Sequence, residues 1–173
     1  MSILVLGLGN ALMADDAIGG KVVEYLRERY VFDPDVEVID GGTLGLDLLP
    51  RFEGVARLLL VDAVDMGAEP GEVFRLAGDE VPRAFADKLS VHQMGLKDLL
   101  AVAELQGDLP QEVVLWGVQP GCIEMRLEMT PEVSAALPRV ADGVLADLQV
   151  WNGRCFTSLK ADELPSRDAF HRL

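Results

Sequence analysis

Cysteine and histidine are scarce in this 173-residue sequence: Cys122, Cys155, His92 and His171 are the only ones. Two cysteines exclude a disulfide-dense scaffold, and the four residues are too few and too badly spaced for a structural zinc module. Basic charge is also scarce, with 15 Lys and Arg against 29 Asp and Glu, a net charge of −14. A surface so rich in carboxylates does not neutralise phosphates, so no nucleic-acid partner is expected. No uncharged apolar run approaches the roughly 18 residues of a membrane span. The apolar start MSILVLGLGNALMADD lacks a basic signal-peptide head. A cytoplasmic protein without a membrane partner is therefore expected, a monomer with both thiols free. Catalytic signatures are missing too: there is no G-x-S-x-G elbow, Walker A loop or H-E-x-x-H pair. Gly7-Leu8-Gly9 opens like a dinucleotide fingerprint, but position 12 is Leu and the third glycine is absent.

What is present is an ordinary globular composition, 50% hydrophobic and 25% charged, enough for one apolar core. Strand-like and helix-like segments alternate. Ile3–Leu6 and Leu58–Val61 are short aliphatic runs that read as buried strands; Val36–Ile39 and Val113–Val118 read the same way. Glu72–Leu76 mixes polar and apolar residues, as an edge strand does. Ile18, Val22, Val23, Leu26 and Tyr30 form a helical stripe, with Asp15 or Asp16 placed to cap its start. Thr43 can cap a short helix through Phe52, and Ser90 a helix carrying Val91, Met94, Leu99 and Ala103. Thr130-Pro131-Glu132 opens a long helix that Pro138 should kink or delay. Such alternation predicts an α/β fold, a mostly parallel central sheet of about five strands between helical layers. One domain is expected over 1–150. Residues 151–173 read as an appended polar tail, with His171 in solvent.

In such sheets ligands bind at the carboxyl ends of the strands, and acids accumulate there. The first strand leads to Asp15 and Asp16, the second ends at Asp40 and the third at Asp62, while His92 lies in the first turn of a later helix. Singly, each has an ordinary reading: Asp15 as an N-cap, Asp16 as a first-turn acid, Asp40 as a turn residue before Gly41-Gly42, His92 as a satisfied histidine. Asp62 is harder to dismiss, because an acid beside a buried strand needs a partner. Converging carboxylates repel unless a cation or a shared proton relieves them. Asp16, Asp40, Asp62 and His92 are expected at one sheet edge.

Five ordered motifs, LVLGLGNALMADDAIG, DGGTLGLDLL, LLLVDAVDMGAEPGEV, SVHQMGLKDLL and LWGVQP, resemble the hydrogenase maturation endopeptidases. These trim the carboxyl-terminal extension from the large-subunit precursor of nickel–iron hydrogenases. The resemblance covers roughly residues 1–150 and implies a twisted sheet between helices, a three-layer αβα sandwich. It implies that Asp16, Asp62 and His92 are metal ligands, that Asp40 has a functional role, and that the nickel arrives held by the substrate. Other divalent ions could occupy the same ligands in vitro. Whether a metal or a carboxylate such as Asp40 activates the water stays open. A nickel-binding chaperone that cuts nothing and a Rossmann-like nucleotide module are the competing classes. The acidic surface could steer a basic partner face.

Overall fold

The computed structural model describes residues 2–86, 91–153 and 155–159, with the backbone alone at residues 85, 86 and 91–95. The aliphatic start becomes strand β1, Ile3–Leu8, buried throughout. An all-apolar strand must be covered on both faces, and the neighbours provide this. Tyr30–Phe32 (β2) lies outside the main sheet, whereas Val36–Gly42 (β3) and Arg57–Ala63 (β4) flank β1 in parallel. Val73–Ala77 (β5) is an antiparallel edge against Glu112–Val118 (β6), which itself pairs in parallel with β4. The order is β3-β1-β4-β6-β5, the mostly parallel sheet expected from the sequence.

Period-two alternation sends successive side chains to opposite faces. Ile3, Val5, Leu59 and Val61 pack with helices α1 (Ile18–Arg29) and α4 (Pro131–Asn152). Leu4, Leu6, Leu58 and Leu60 pack on the other face with the 3-10 helix Gly45–Phe52, with Val81 of helix α2 (Glu80–Ala86) and with helix α3 (Val91–Gln106). Each such burial contributes about 1.5–3 kcal/mol. A one-residue slip would exchange the two faces, which fixes the register. Helix α1 lies close against the strand ends because Gly19 has no side chain: a Cβ there would run into the carbonyl oxygens of Leu8 and Val61.

Several local expectations are corrected. Neither Asp15 nor Asp16 caps α1, whose N-cap is Ala17 without a side-chain bond, because both acids lie one turn earlier in the 3-10 turn Ala14–Ala17. Thr43 does not cap the next helix either; Leu44 holds that position. Tyr30 leaves the helical stripe for β2. There it meets the tail, since Phe156–Ser158 (β7) pairs antiparallel with β2 and the Tyr30 and Phe156 rings meet edge-on at 5.5 Å. The start of the polar tail is thus tied to the domain, with Cys155 buried. Helix α4 runs on through Pro138 from a start at Pro131, so this proline delays nothing. Ser90 and His171 lie outside the described residues. Among the described residues, no helix is long and apolar enough to cross a membrane.

Candidate active site

The chain leaves β1 through Gly9, whose φ of 118° only glycine adopts freely and whose missing side chain makes room for the Asp16 carbonyl. The turn then reaches Ala14, a non-glycine residue at φ 49°. Such strain persists where surrounding contacts enforce it, and here they do. The Ala14 amide donates to the Arg126 carbonyl at 2.8 Å. Asp15, fully buried, accepts hydrogen bonds from the amides of Gly121 (2.7 Å), Cys122 (2.9 Å) and Thr130 (2.7 Å). The Thr130 hydroxyl adds a bond to its Oδ2 at 2.9 Å. Asp15 therefore clamps the loop 121–130 onto the β1–α1 turn. Its long-range partners are why a local capping reading fails.

Asp16 does something else. It is buried, and its Oδ2 accepts the Asn10 amide at 2.7 Å. Asp62, at the carboxyl end of β4, is equally buried; its Oδ1 accepts the Ala63 amide at 2.8 Å. Burial first, and the nearby Asp16 carboxylate second, hold the Asp62 carboxyl well above the usual carboxylate range against the lowering effect of that amide. A buried carboxyl whose charge a neighbouring carboxylate disfavours is what a cation or a shared proton relieves. Asp62 lines a cleft of about 350 Å³ with Gly9, Asn10, Thr43, Leu96 and Leu99. Helix α3 thus borders the cleft, and position 92 lies one helical turn before Leu96. The His92 side chain is outside the described residues. Among the described residues no group of three metal-binding side chains occurs.

Asp40 also reaches the carboxyl edge, in register with Gly7, but on the opposite face of the sheet. It shares strand parity with Val36 and Val38 of the α1 face, whereas Asp62 shares parity with Leu58 and Leu60. Its Oδ1 accepts the Gly42 amide at 2.9 Å, and its carboxylate lies against Gly20. A second cleft, about 520 Å³, is lined by Asp40, Lys21, Arg27 and Gly9. Gly9 borders both clefts. A residue missed by sequence reasoning is Gln119, which follows β6. Buried, it accepts the Met66 amide at 2.7 Å and donates to Asp65 at 3.1 Å, fixing the loop after β4 beside Asp62. Its position in the GVQP segment was the available signal.

A mostly parallel sheet with paired buried carboxylates beside an open cleft at its strand ends is the layout of an α/β enzyme. Residues 20–147 match the family model described as hydrogenase maturation protease. The chain is 41% identical over 150 residues to the hydrogenase 2 maturation protease of Escherichia coli, covering 86% of this chain and 92% of that one. Its structure is similar to the hydrogenase maturating endopeptidase HybD from Escherichia coli, with TM-score 0.86 and 37% identity over 94% of this chain and 99% of that one. The hydrogenase maturation protease HybD from Thermococcus kodakarensis is also similar, with TM-score 0.71 and 29% identity over 84% of this chain and 98% of that one. The chain belongs to the hydrogenase maturation protease family, and it is an endopeptidase.

Proposed function

We propose that this protease removes the carboxyl-terminal extension of a nickel–iron hydrogenase large-subunit precursor after nickel has been inserted, and that it reads the nickel through Asp16, Asp62 and His92. The observation that carries this reading is Asp62, buried at the cleft beside the buried Asp16, with a disfavoured charge that a substrate-borne cation would stabilise. Nickel accepts carboxylate and imidazole donors alongside thiolates. Three ligands from separate segments leave positions open for the cysteines that carry the metal in. A precursor without metal gains nothing from these carboxylates, which makes cutting conditional on loading.

Hydrolysis adds water to the scissile carbonyl, breaks the C–N bond and protonates the departing amine. We assign the base that takes the water proton, and returns it to the amine, to Asp40. One of its oxygens is held by the Gly42 amide, leaving the other for the water. A peptide lying across Gly9, which borders both clefts, would touch the Asp62 side and the Asp40 side together. The test is nickel-edge X-ray absorption on nickel-loaded precursor, alone and mixed with the Asp40→Asn protease. Added oxygen and nitrogen scatterers that vanish with Asp62→Ala are expected. An unchanged nickel environment would refute the ligand assignment.

A further inference from the structure

Four loops leave the carboxyl edge of the sheet, and three of them display large uncovered apolar side chains. Leu12 follows β1, Leu44 and Leu46 follow β3, and Ile123, Met125 and Leu127 follow β6; all six are exposed, Met125 to 83% and Leu127 to 71%. The loops form one continuous rim. The Gly9 amide donates to the Gly42 carbonyl at 3.0 Å, joining the first loop to the second. Met13 bridges to Arg126, joining the first to the last. Gln119 ties in residues 65–68. The apolar residues are not loosely hung, because Asp15 and the Arg126 carbonyl pin the segment that carries three of them. Exposed apolar side chains gathered on loops that are held to one another mark an interaction face.

The same loops, with the 3-10 helix Gly45–Phe52, carry Asp47, Asp65, Glu69, Glu72, Glu124 and Glu128 against two bases, Arg51 and Arg126. A face that is apolar and acidic fits a partner face that is apolar and basic, and it repels both nucleic acid and a second copy of itself. Two of these loops line the Asp62 cleft through Gly9, Thr43 and Gly45, and the loop after β6 is joined to the first of them by the Met13–Arg126 bridge. A macromolecule whose chain enters the cleft lies against the first two of these loops, with the third apolar segment joined to them. We infer that this rim is the docking surface for the folded body of the precursor: an apolar patch with Lys or Arg around it, next to the chain to be cut. This rests on the function proposed above and adds that recognition extends beyond the metal and the peptide.

The test compares the double variant Met125→Glu, Leu127→Glu with the control Leu105→Glu, Val150→Glu. The control changes side chains that are 86% and 84% exposed on helices α3 and α4, outside the rim. Each is assayed on nickel-loaded precursor by processing gel, with thermal unfolding followed in parallel. Loss of two central apolar contacts should raise KM at least about tenfold with kcat nearly unchanged, no shift in unfolding and no effect from the control. Equal KM for wild type and rim variant overturns the docking surface while leaving the protease reading intact. Failure of the wild type to cut loaded precursor overturns both. A wild-type dimer that the rim variant converts to monomer, seen by sedimentation, assigns the face to a second copy and also overturns it.

Discussion

Replacing Asp15 separates two jobs that neighbouring acids perform. A helix cap would tolerate Asn almost without change, since Asn and Asp are about equally good at that position, within about 0.5 kcal/mol. The structure instead gives Asp15 three backbone amides and a hydroxyl, all from 121–130. Hydrogen bonds to a charged acceptor contribute about 1.5–3 kcal/mol each, and a donor left buried and unpaired costs about 1–3 kcal/mol. Asn keeps one acceptor oxygen and turns an NH2 group toward donors, so the loss should be about 2–4 kcal/mol. For a domain of this size that lowers Tm by about 4–16 °C. Ala strips all the acceptors and should cost more, about 3–5 kcal/mol, a large part of the usual total. Urea denaturation at neutral pH measures both. A loss below about 1 kcal/mol for Asp15→Asn would show that the loop does not depend on this carboxylate and would refute the reasoning.

Asp62→Asn should act oppositely on stability while destroying function. Burial and Asp16 raise the folded pKa of Asp62, so its stability contribution is full at low pH and is lost as pH rises through that raised value; Asn mimics the protonated form. The variant should therefore melt above wild type at neutral pH, with the gap closing on acidification, and a less stable variant at neutral pH would contradict this. Asp40→Asn should keep its turn, because Asn accepts the Gly42 amide equally well, and yet lose about 10²–10⁴-fold in processing rate; near-wild-type cutting would return Asp40 to a turn residue. Gly143→Ala should destabilise by about 1–3 kcal/mol despite Ala's better helix propensity, because the new Cβ meets the Trp116 ring, whose Nε1 is held by Asp147 at 2.8 Å; thermal melts decide the sign.

The central strands were legible because each is an aliphatic run closed by glycine or an acid, and Asp62 because an acid at such a boundary has to be dealt with. The long helix from Pro131 and the edge position of β5 followed from equally local signals. What sequence could not reveal depends on distant partners. The roles of Asp15 and Asp16 are set apart by Gly121, Cys122 and Thr130, more than a hundred residues on. Strand parity puts Asp40 with Val36 and Val38, but which helices cover that face depends on the whole topology. Tyr30 fits a helical stripe by spacing and leaves it only because Phe156 returns to pack beside it. The polar tail looked unanchored for the same reason: its partner strand β2 is too short to be recognised alone.

The measurement that bears most directly on the central claim is a processing gel with nickel-loaded and nickel-free precursor, run with wild type, Asp16→Ala and Asp62→Ala. Wild type should shorten only the loaded precursor, and neither variant should shorten either form while both remain folded. Equal cutting of loaded and nickel-free precursor by wild type, or full cutting of the loaded form by Asp62→Ala, would contradict the claim that buried carboxylates read the metal.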